Sequence, residues 1–535
     1  HCVTGVQTCA LPIYQVPNIS ENFGGLDKLT CSVGSIKANI GHTYAASGIG
    51  SLIKTALCLY HRYIPATPNW TTPQQLELWK DSPFYVASES RTWFLEDYQT
   101  KRIAAINGLG IDNTYAHLIL SEDPIQKERP SNNLQQTPFY LFPINANNKQ
   151  NLLEKINHFK QKIEGNVDLS KLATETYLDF QKKQPEFYTF SLVGGSYQEL
   201  LEEIEFAFEG IKKAFENPRE FKTPLGSYFT ANPLSKQGTI AFVYPGMASS
   251  DIRLGKDIFR LFPKLYKNFS NLTNNVGQTL YEKLLYPRNL TNSFKQRKLN
   301  TEDFFSNGVA MCQSGISLAT LYTQILQDIF KVKPQVAFGY SLGEASAMFF
   351  ALGVWQNKFH NNSTSASVAL KKSPLFQTEL CGACLAGRKF WDFSLTNNKK
   401  EKFWQSYSLK TSVNQVKEVL KKETKVYLTF INTPEEVVIS GDPQSCLKVI
   451  EKLNCYYTVI NFDSVLHCEI AQDYFSDLLK IHDLPIKNKP DIKFYSSINC
   501  QPLLLESHIL TDNSAQVCCQ TVNFPKIVKI GRAHV

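Results

Sequence analysis

The run Gly339-Tyr340-Ser341-Leu342-Gly343 constrains this chain more than any other stretch. It stands between an apolar strand candidate at 335–338 and a helix candidate at 344–352. A strand that turns sharply into a helix at a serine lifts the hydroxyl clear of the sheet. Glycines are needed on both sides because a side chain there would collide with the packed turn. The helix start behind Ser341 offers backbone N–H groups and the positive end of the helix dipole to a developing oxyanion. The sequence therefore predicts an α/β core in which Ser341 is a nucleophile.

A serine hydroxyl needs a neighbouring base to attack. Of the ten histidines, His467 is the candidate. It lies in Val465-Leu466-His467-Cys468, after an apolar stretch at 457–462 and downstream of the serine. A lone histidine is more often a core residue satisfied by backbone groups. The need for a base downstream of Ser341 reverses that preference here.

At 535 residues the chain is long enough for roughly three or four domains. Hydrophobic residues make up 43% and charged residues 19%, as in globular proteins with sizeable cores. The formal charge of +8 is spread along the chain with no long Lys/Arg block, which excludes a concentrated nucleic-acid-binding stripe. Thirteen cysteines are scattered without regular spacing and no secretory signal stands out, so reduced thiols and a cytoplasmic setting are expected. The pair Cys381-Gly-Ala-Cys384 has no second pair or His partner nearby, and no metal site is expected. No window reaches 18 consecutive apolar residues, so no membrane-spanning helix is expected. Residues 1–13 (HCVTGVQTCALPI) and 530–535 read as adapter-derived sequence, with neither helix nor strand periodicity in the first.

Three regions follow. In 14–124, strand-like runs at 32–36, 103–106 and 116–120 surround a helix pattern at 48–60. Residues 121–136 turn polar and read as a linker. In 125–237, a strand at 139–144 precedes Leu152, Ile156, Phe159 and Ile163, which fall on one helical face. A strand at 188–193 and an acidic amphipathic helix at 197–215 complete a small α+β module with nothing that looks catalytic. From 238 to 529, an apolar strand at 239–244 breaks at Pro245-Gly246. A helix at 311–330 leads to the serine strand, and strands at 426–431 and 436–440 flank a turn at Thr433-Pro434. Alternating strands and helices imply a mainly parallel α/β core.

The third region resembles malonyl/acyl-CoA:carrier-protein acyltransferases. Phe242-Val-Tyr-Pro-Gly-Met247 matches the family's opening strand and loop, Gln313 its active-site glutamine and Gly339–Glu344 its nucleophile elbow. Asn432-Thr-Pro with Val438-Ile-Ser-Gly441 matches a further segment, and His467 falls at the catalytic histidine. The resemblance implies a transacylase fold, with an α/β-hydrolase-like core and a ferredoxin-like subdomain. It also implies an oxyanion hole from the Met247 and Leu342 amides, substrate contacts from Gln313 and Asn432, and ping-pong transfer through Ser341. No tightly bound cofactor is implied. Coenzyme A thioester is the substrate, and a phosphopantetheine thiol on an acyl carrier protein is the acceptor. The mildly basic surface suits such acidic partners. Three positions depart from the family: Met247 stands where glutamine is usual, Tyr340 where histidine is usual, and Lys372 where malonyl-selective members carry an arginine. Lysine does not replace arginine at a bidentate carboxylate site, so relaxed or non-malonyl selectivity is expected.

The first region resembles the C-terminal half of a thiolase-like β-ketoacyl synthase. Lys37-Ala-Asn-Ile-Gly-His42-Thr-Tyr-Ala-Ala-Ser-Gly48 matches its active-site segment, and Gly108-Leu-Gly110 with Ala116-His117 matches its glycine-rich loop. The condensing cysteine belongs to the other half of that fold, so Lys37 and His42 are expected to be relics that condense nothing. Domain order, with strings such as Leu52-Ile-Lys-Thr-Ala-Leu-Cys-Leu-Tyr60, resembles the B-type subunit of bacterial polyunsaturated-fatty-acid synthases, which implies other synthase subunits as partners. Two alternatives remain. One is a GxSxG esterase or thioesterase, although no His-Gly-Gly oxyanion string occurs. The other is a non-catalytic scaffold subunit.

Overall fold

The computed structural model describes residues 5–8, 27–96, 99–109, 114–123, 125–126, 138–165, 167–182, 186–234, 238–291, 293–355, 370, 373–393 and 402–533. The polar stretch at 121–136 lies mostly outside them. The chain divides into two compact units, Pro130–Gly238 and the combination of His1–Arg129 with Thr239–Val535.

The Pro130–Gly238 unit holds a four-stranded antiparallel sheet in the order Glu220–Lys222, Tyr228–Thr230, Tyr188–Gly194, Tyr140–Ala146. The helix Lys149–Glu164 starts where the Asn148 side chain accepts from the Asn151 amide. It buries Leu152, Ile156, Phe159 and Ile163, as their spacing requires. The helix Tyr197–Glu216 is capped by Ser196 in the same way and buries Leu200, Ile204, Ala207 and Ile211.

In the larger unit, the ketosynthase-like segment forms a five-stranded sheet ordered Phe84–Tyr85, Cys31–Gly34, Gly5–Thr8, Ile103–Leu109, Tyr115–Ser121. Its pairs are parallel except the last. Gly5–Thr8, within the stretch that reads as adapter-derived, is the middle strand of this sheet. The slot between two parallel strands exposes two rows of backbone donors and acceptors, and any short extended segment can satisfy them. The helix Phe524–Ala533 runs on past residue 530, since an established helix extends at low cost.

The serine strand Val336–Gly339 is the centre of a three-stranded parallel sheet, between Ala241–Tyr244 and Lys493–Phe494. In Ala241–Tyr244, Phe242 and Tyr244 are buried while Val243 is 49% exposed and lines the cleft described below. A second sheet of five strands is ordered Tyr456–Ile460, Gln405–Lys410, Glu436–Gly441, Val426–Thr433, Val522–Asn523. It is antiparallel except at the last pair, so the parallel expectation holds for the core sheet and not for this subdomain. The hairpin turn that joins Val426–Thr433 to Glu436–Gly441 forces antiparallel pairing there.

Buried ion pairs join the ketosynthase-like segment to the rest of its unit. Arg102 donates to Glu122 at 2.8 Å and to the Tyr266 hydroxyl at 2.7 Å. Arg288 meets Glu96 and Glu282 at 2.6 Å each, and Arg91 meets Glu282 at 3.0 Å. A cavity in this seam is lined by Arg91, Arg253, Lys256 and Arg288, among others. All four cations are already paired, with Glu89, Glu96 or Glu282.

Candidate active site

Ser341 sits at the strand-to-helix turn with φ of 54°, a left-handed conformation that side chains other than glycine rarely adopt. Its carbonyl accepts from the Glu344 and Ala345 amides at 3.0 and 2.9 Å, which starts the helix. That helix opens with a wide turn over Gly343–Ala347 before Met348–Ala351. The flanking glycines are sterically required. A Cβ on Gly339 would lie 2.0 Å from the Glu344 nitrogen, and one on Gly343 would lie 2.0 Å from the Tyr244 oxygen.

His467 lies 126 residues further along the chain, yet its Nε2 is 2.7 Å from Ser341 Oγ. Its Nδ1 is 2.8 Å from the Val517 carbonyl oxygen and 3.3 Å from that of Gln520. A carbonyl can only accept, so Nδ1 carries the proton and the Nε2 lone pair faces the serine. The His467 backbone is held too, its amide donating to the Cys518 carbonyl at 2.7 Å. Burial lowers the imidazole pKa from 6.5 to about 4, against the opposing effect of the two carbonyls. The ring is therefore neutral near pH 7 and available as a base.

The Met247 amide opens a short helical turn at the end of the Ala241–Tyr244 strand, and the Leu342 amide follows the serine. Neither donates to an acceptor among the described residues. Met247, Gln313, Ser341 and Leu342 line one cavity, with buried Gln313 contributed by the helix Gly308–Gln324. A wider cleft reaches Ser341 and His467 from the other side. Its walls include the Ser406, Ser408, Thr429 and Ser440 hydroxyl residues. Asn432 lines this cleft. Its side chain accepts from the Tyr340 hydroxyl at 2.8 Å and donates to Glu436 at 3.3 Å. Tyr340 stacks on Phe430 with ring centroids 5.0 Å apart, and Phe430 lies 4.6 Å from the His467 ring. The tyrosine that departs from the family pattern thus braces the wall beside the base.

Lys372 lies outside the described residues. Lys37 is half-buried and His42 exposed, with His42 Nδ1 accepting from the Tyr44 amide at 3.0 Å. Neither lines the serine cavity or the cleft. Two groups were not singled out from sequence. The carbonyls that hold His467 have no residue-type signature. The Glu344 carboxylate, directly behind the elbow, is fully buried and accepts from the Ser497 amide at 2.9 and 3.0 Å and from Asn513 Nδ2 at 3.0 Å. Among the described residues no group of three or more His, Cys, Asp or Glu is placed to hold a metal ion. No described helix is long and apolar enough to cross a membrane.

Residues 17–71 match the family described as beta-ketoacyl synthase, C-terminal domain. Over 93% of its length the chain is 24% identical to a B-type polyunsaturated fatty acid synthase subunit of Thraustochytrium sp., and it spans 25% of that protein. Over 26% of its length it is 33% identical to polyketide synthase PksL of Bacillus subtilis, of which it spans 3%. Its fold is similar to the acyltransferase domain from module 8 of the salinomycin polyketide synthase, with a TM-score of 0.54 and 13% identity over 74% of this chain and 83% of that one. The acyltransferase domain of ZmaA gives a TM-score of 0.51 and 16% identity over 74% of this chain and 81% of its own. The chain therefore joins a segment that matches the ketosynthase C-terminal family to a transacylase-like α/β fold, and along nearly its whole length it is similar to part of a B-type polyunsaturated-fatty-acid synthase subunit.

Proposed function

We propose that this chain transfers an acyl group from an acyl-CoA thioester to the phosphopantetheine thiol of an acyl carrier protein, through an ester on Ser341. The contact that carries this reading is the 2.7 Å approach of Ser341 Oγ to His467 Nε2, with Nδ1 turned toward two carbonyls. Ser341 Oγ attacks the thioester carbon while its proton passes to His467 Nε2. The developing oxyanion lies between the Met247 and Leu342 amides. On collapse the C–S bond breaks, and His467 returns the proton to the departing thiolate. In the second half His467 takes the proton of the pantetheine thiol, the thiolate attacks the ester, and Ser341 regains its hydroxyl. The wider cleft, which reaches Ser341 and His467, gives the thiol arm of the substrate its approach.

An esterase reading is less well supported. Hydrolases with a GxSxG elbow place a carboxylate behind the histidine, whereas His467 here is held by main-chain oxygens. A scaffold without activity would have no need of the 2.7 Å approach of Ser341 Oγ to His467 Nε2. Partners in this reading are a carrier protein and other subunits of a cytoplasmic polyunsaturated-fatty-acid or polyketide synthase. The ketosynthase-like segment, with Lys37 and His42, is inactive in it. Incubating the chain with acyl-CoA, with and without a phosphopantetheinylated carrier protein, tests the reading. Carrier acylation faster than release of free acid supports transfer. Release of free acid at the same rate with or without carrier contradicts it.

A further inference from the structure

The cavity behind Ser341 has apolar walls. Ile316, Phe350, Phe376, Ile481 and Leu484 are among the apolar residues, and Gln313, Ser341, Ser346 and His482 are the polar ones. Among the described residues that line it there is no lysine, arginine or carboxylate. His482 does not fill that gap as a cation. It is 4% exposed, and its Nδ1 donates to the Leu478 carbonyl at 2.8 Å. Burial lowers its pKa to about 4, so the ring is neutral near pH 7.

A carboxylate that enters such a space sheds its hydration without meeting an opposite charge among the described residues, whereas a hydrocarbon chain gains by leaving water. The cavity shares Met247, Ser341 and Leu466 with the wider cleft, so an acyl group on Ser341 has a way into it while the thiol arm occupies the cleft. Resting on the reading that Ser341 carries the acyl group, we propose that this cavity is the acyl-chain subsite and that it selects an uncharged hydrocarbon chain longer than acetyl over a carboxylated one. Ile316, on the helix Gly308–Gln324, is a selectivity residue of that subsite, because its side chain bounds the space available to the chain.

The test uses the full chain and acetyl-, hexanoyl-, octanoyl- and malonyl-CoA, with kcat/KM for loading of Ser341 followed by intact mass. Hexanoyl or octanoyl loading is expected to exceed acetyl loading by at least about tenfold, and malonyl loading by on the order of a hundredfold. In Ile316→Phe, which fills the cavity, the octanoyl-to-acetyl ratio is expected to fall by at least about tenfold. Where that variant does not fold, the wild-type ranking decides alone. A preference for malonyl-CoA, above all one lost in Lys372→Met, overturns the inference and leaves the acyl-enzyme reading standing. So does an octanoyl-to-acetyl ratio that Ile316→Phe leaves unchanged. Failure of all four thioesters to load Ser341 overturns both.

Discussion

The Glu344 carboxylate accepts a hydrogen bond from Asn513 Nδ2 at 3.0 Å, across 169 residues of chain. Glu344 stands on the turn behind Ser341. Asn513 stands on the helix Ser507–Cys519, whose Val517 carbonyl holds His467. One buried carboxylate therefore ties the nucleophile's support to the support of the base. Glu344→Ala leaves the Ser497 amide and the Asn513 amide buried without their acceptor, at about 1–3 kcal/mol for each group. Urea unfolding should show that loss. Acylation should slow more than substrate binding weakens, because the Ser341–His467 spacing loosens. Glu344→Gln keeps one accepting oxygen and should recover part of both.

The pH dependence of acylation follows from His467. The base must be neutral, and its pKa stands near 4 instead of the usual 6.5. The neutral fraction then stays high as pH falls through 6.5 and drops only near 4. The acid limb of kcat/KM should accordingly lie well below pH 6.5. A limb at 6.5 would mean that the imidazole is more hydrated than this packing allows.

The two elbow glycines should tolerate no side chain. Gly343→Ala would place Cβ against the Tyr244 backbone oxygen, which cannot swing aside as a flexible side chain could. Overpacking of this kind costs about 1–3 kcal/mol, more where backbone must move. Gly48 gives the contrast: it lies in the helix Ser47–His61, and an added Cβ meets nothing within 4 Å. Gly48→Ala should stabilise by up to about 1 kcal/mol. Thermal melting of the two variants should show shifts of opposite sign.

In the seam, Glu282 is 5% exposed and faces both Arg91 and Arg288. Glu282→Gln removes the charge that both guanidinium groups share, and breaking one side of a buried pair costs about 3–5 kcal/mol. The urea midpoint should fall accordingly. Lys421→Ala supplies the control, since its pair with Glu418 is exposed on both sides and contributes about 0–1 kcal/mol.

What could be read from sequence depended on locality. The helix face of Leu152, Ile156, Phe159 and Ile163 follows from spacing alone, because the helical period is local. The elbow glycines report a clash with residues a few positions away and with the neighbouring strand. Ser341 and His467 stood out by residue type, and the structure brings them into contact. The oxygens that fix the tautomer of His467 belong to Val517 and Gln520, whose identities say nothing about their carbonyls. Glu344 was visible beside the elbow, but only the fold shows that its carboxylate turns inward to Ser497 and Asn513. The Gly5–Thr8 strand depends on a vacant slot between Cys31–Gly34 and Ile103–Leu109, a non-local cause with no trace in its own composition. The polarity of a cavity is hidden for the same reason, since Ile316, Phe376 and Leu484 meet only in three dimensions.

Whether Ser341 carries the acyl group is tested most directly by intact mass measurement after incubation with acyl-CoA. The expected result is one added acyl mass that maps to the peptide containing Ser341, survives neutral thiol-free quenching and vanishes in Ser341→Ala. An adduct that persists in Ser341→Ala, or a wild-type chain that takes up no acyl group from any thioester, would contradict the assignment.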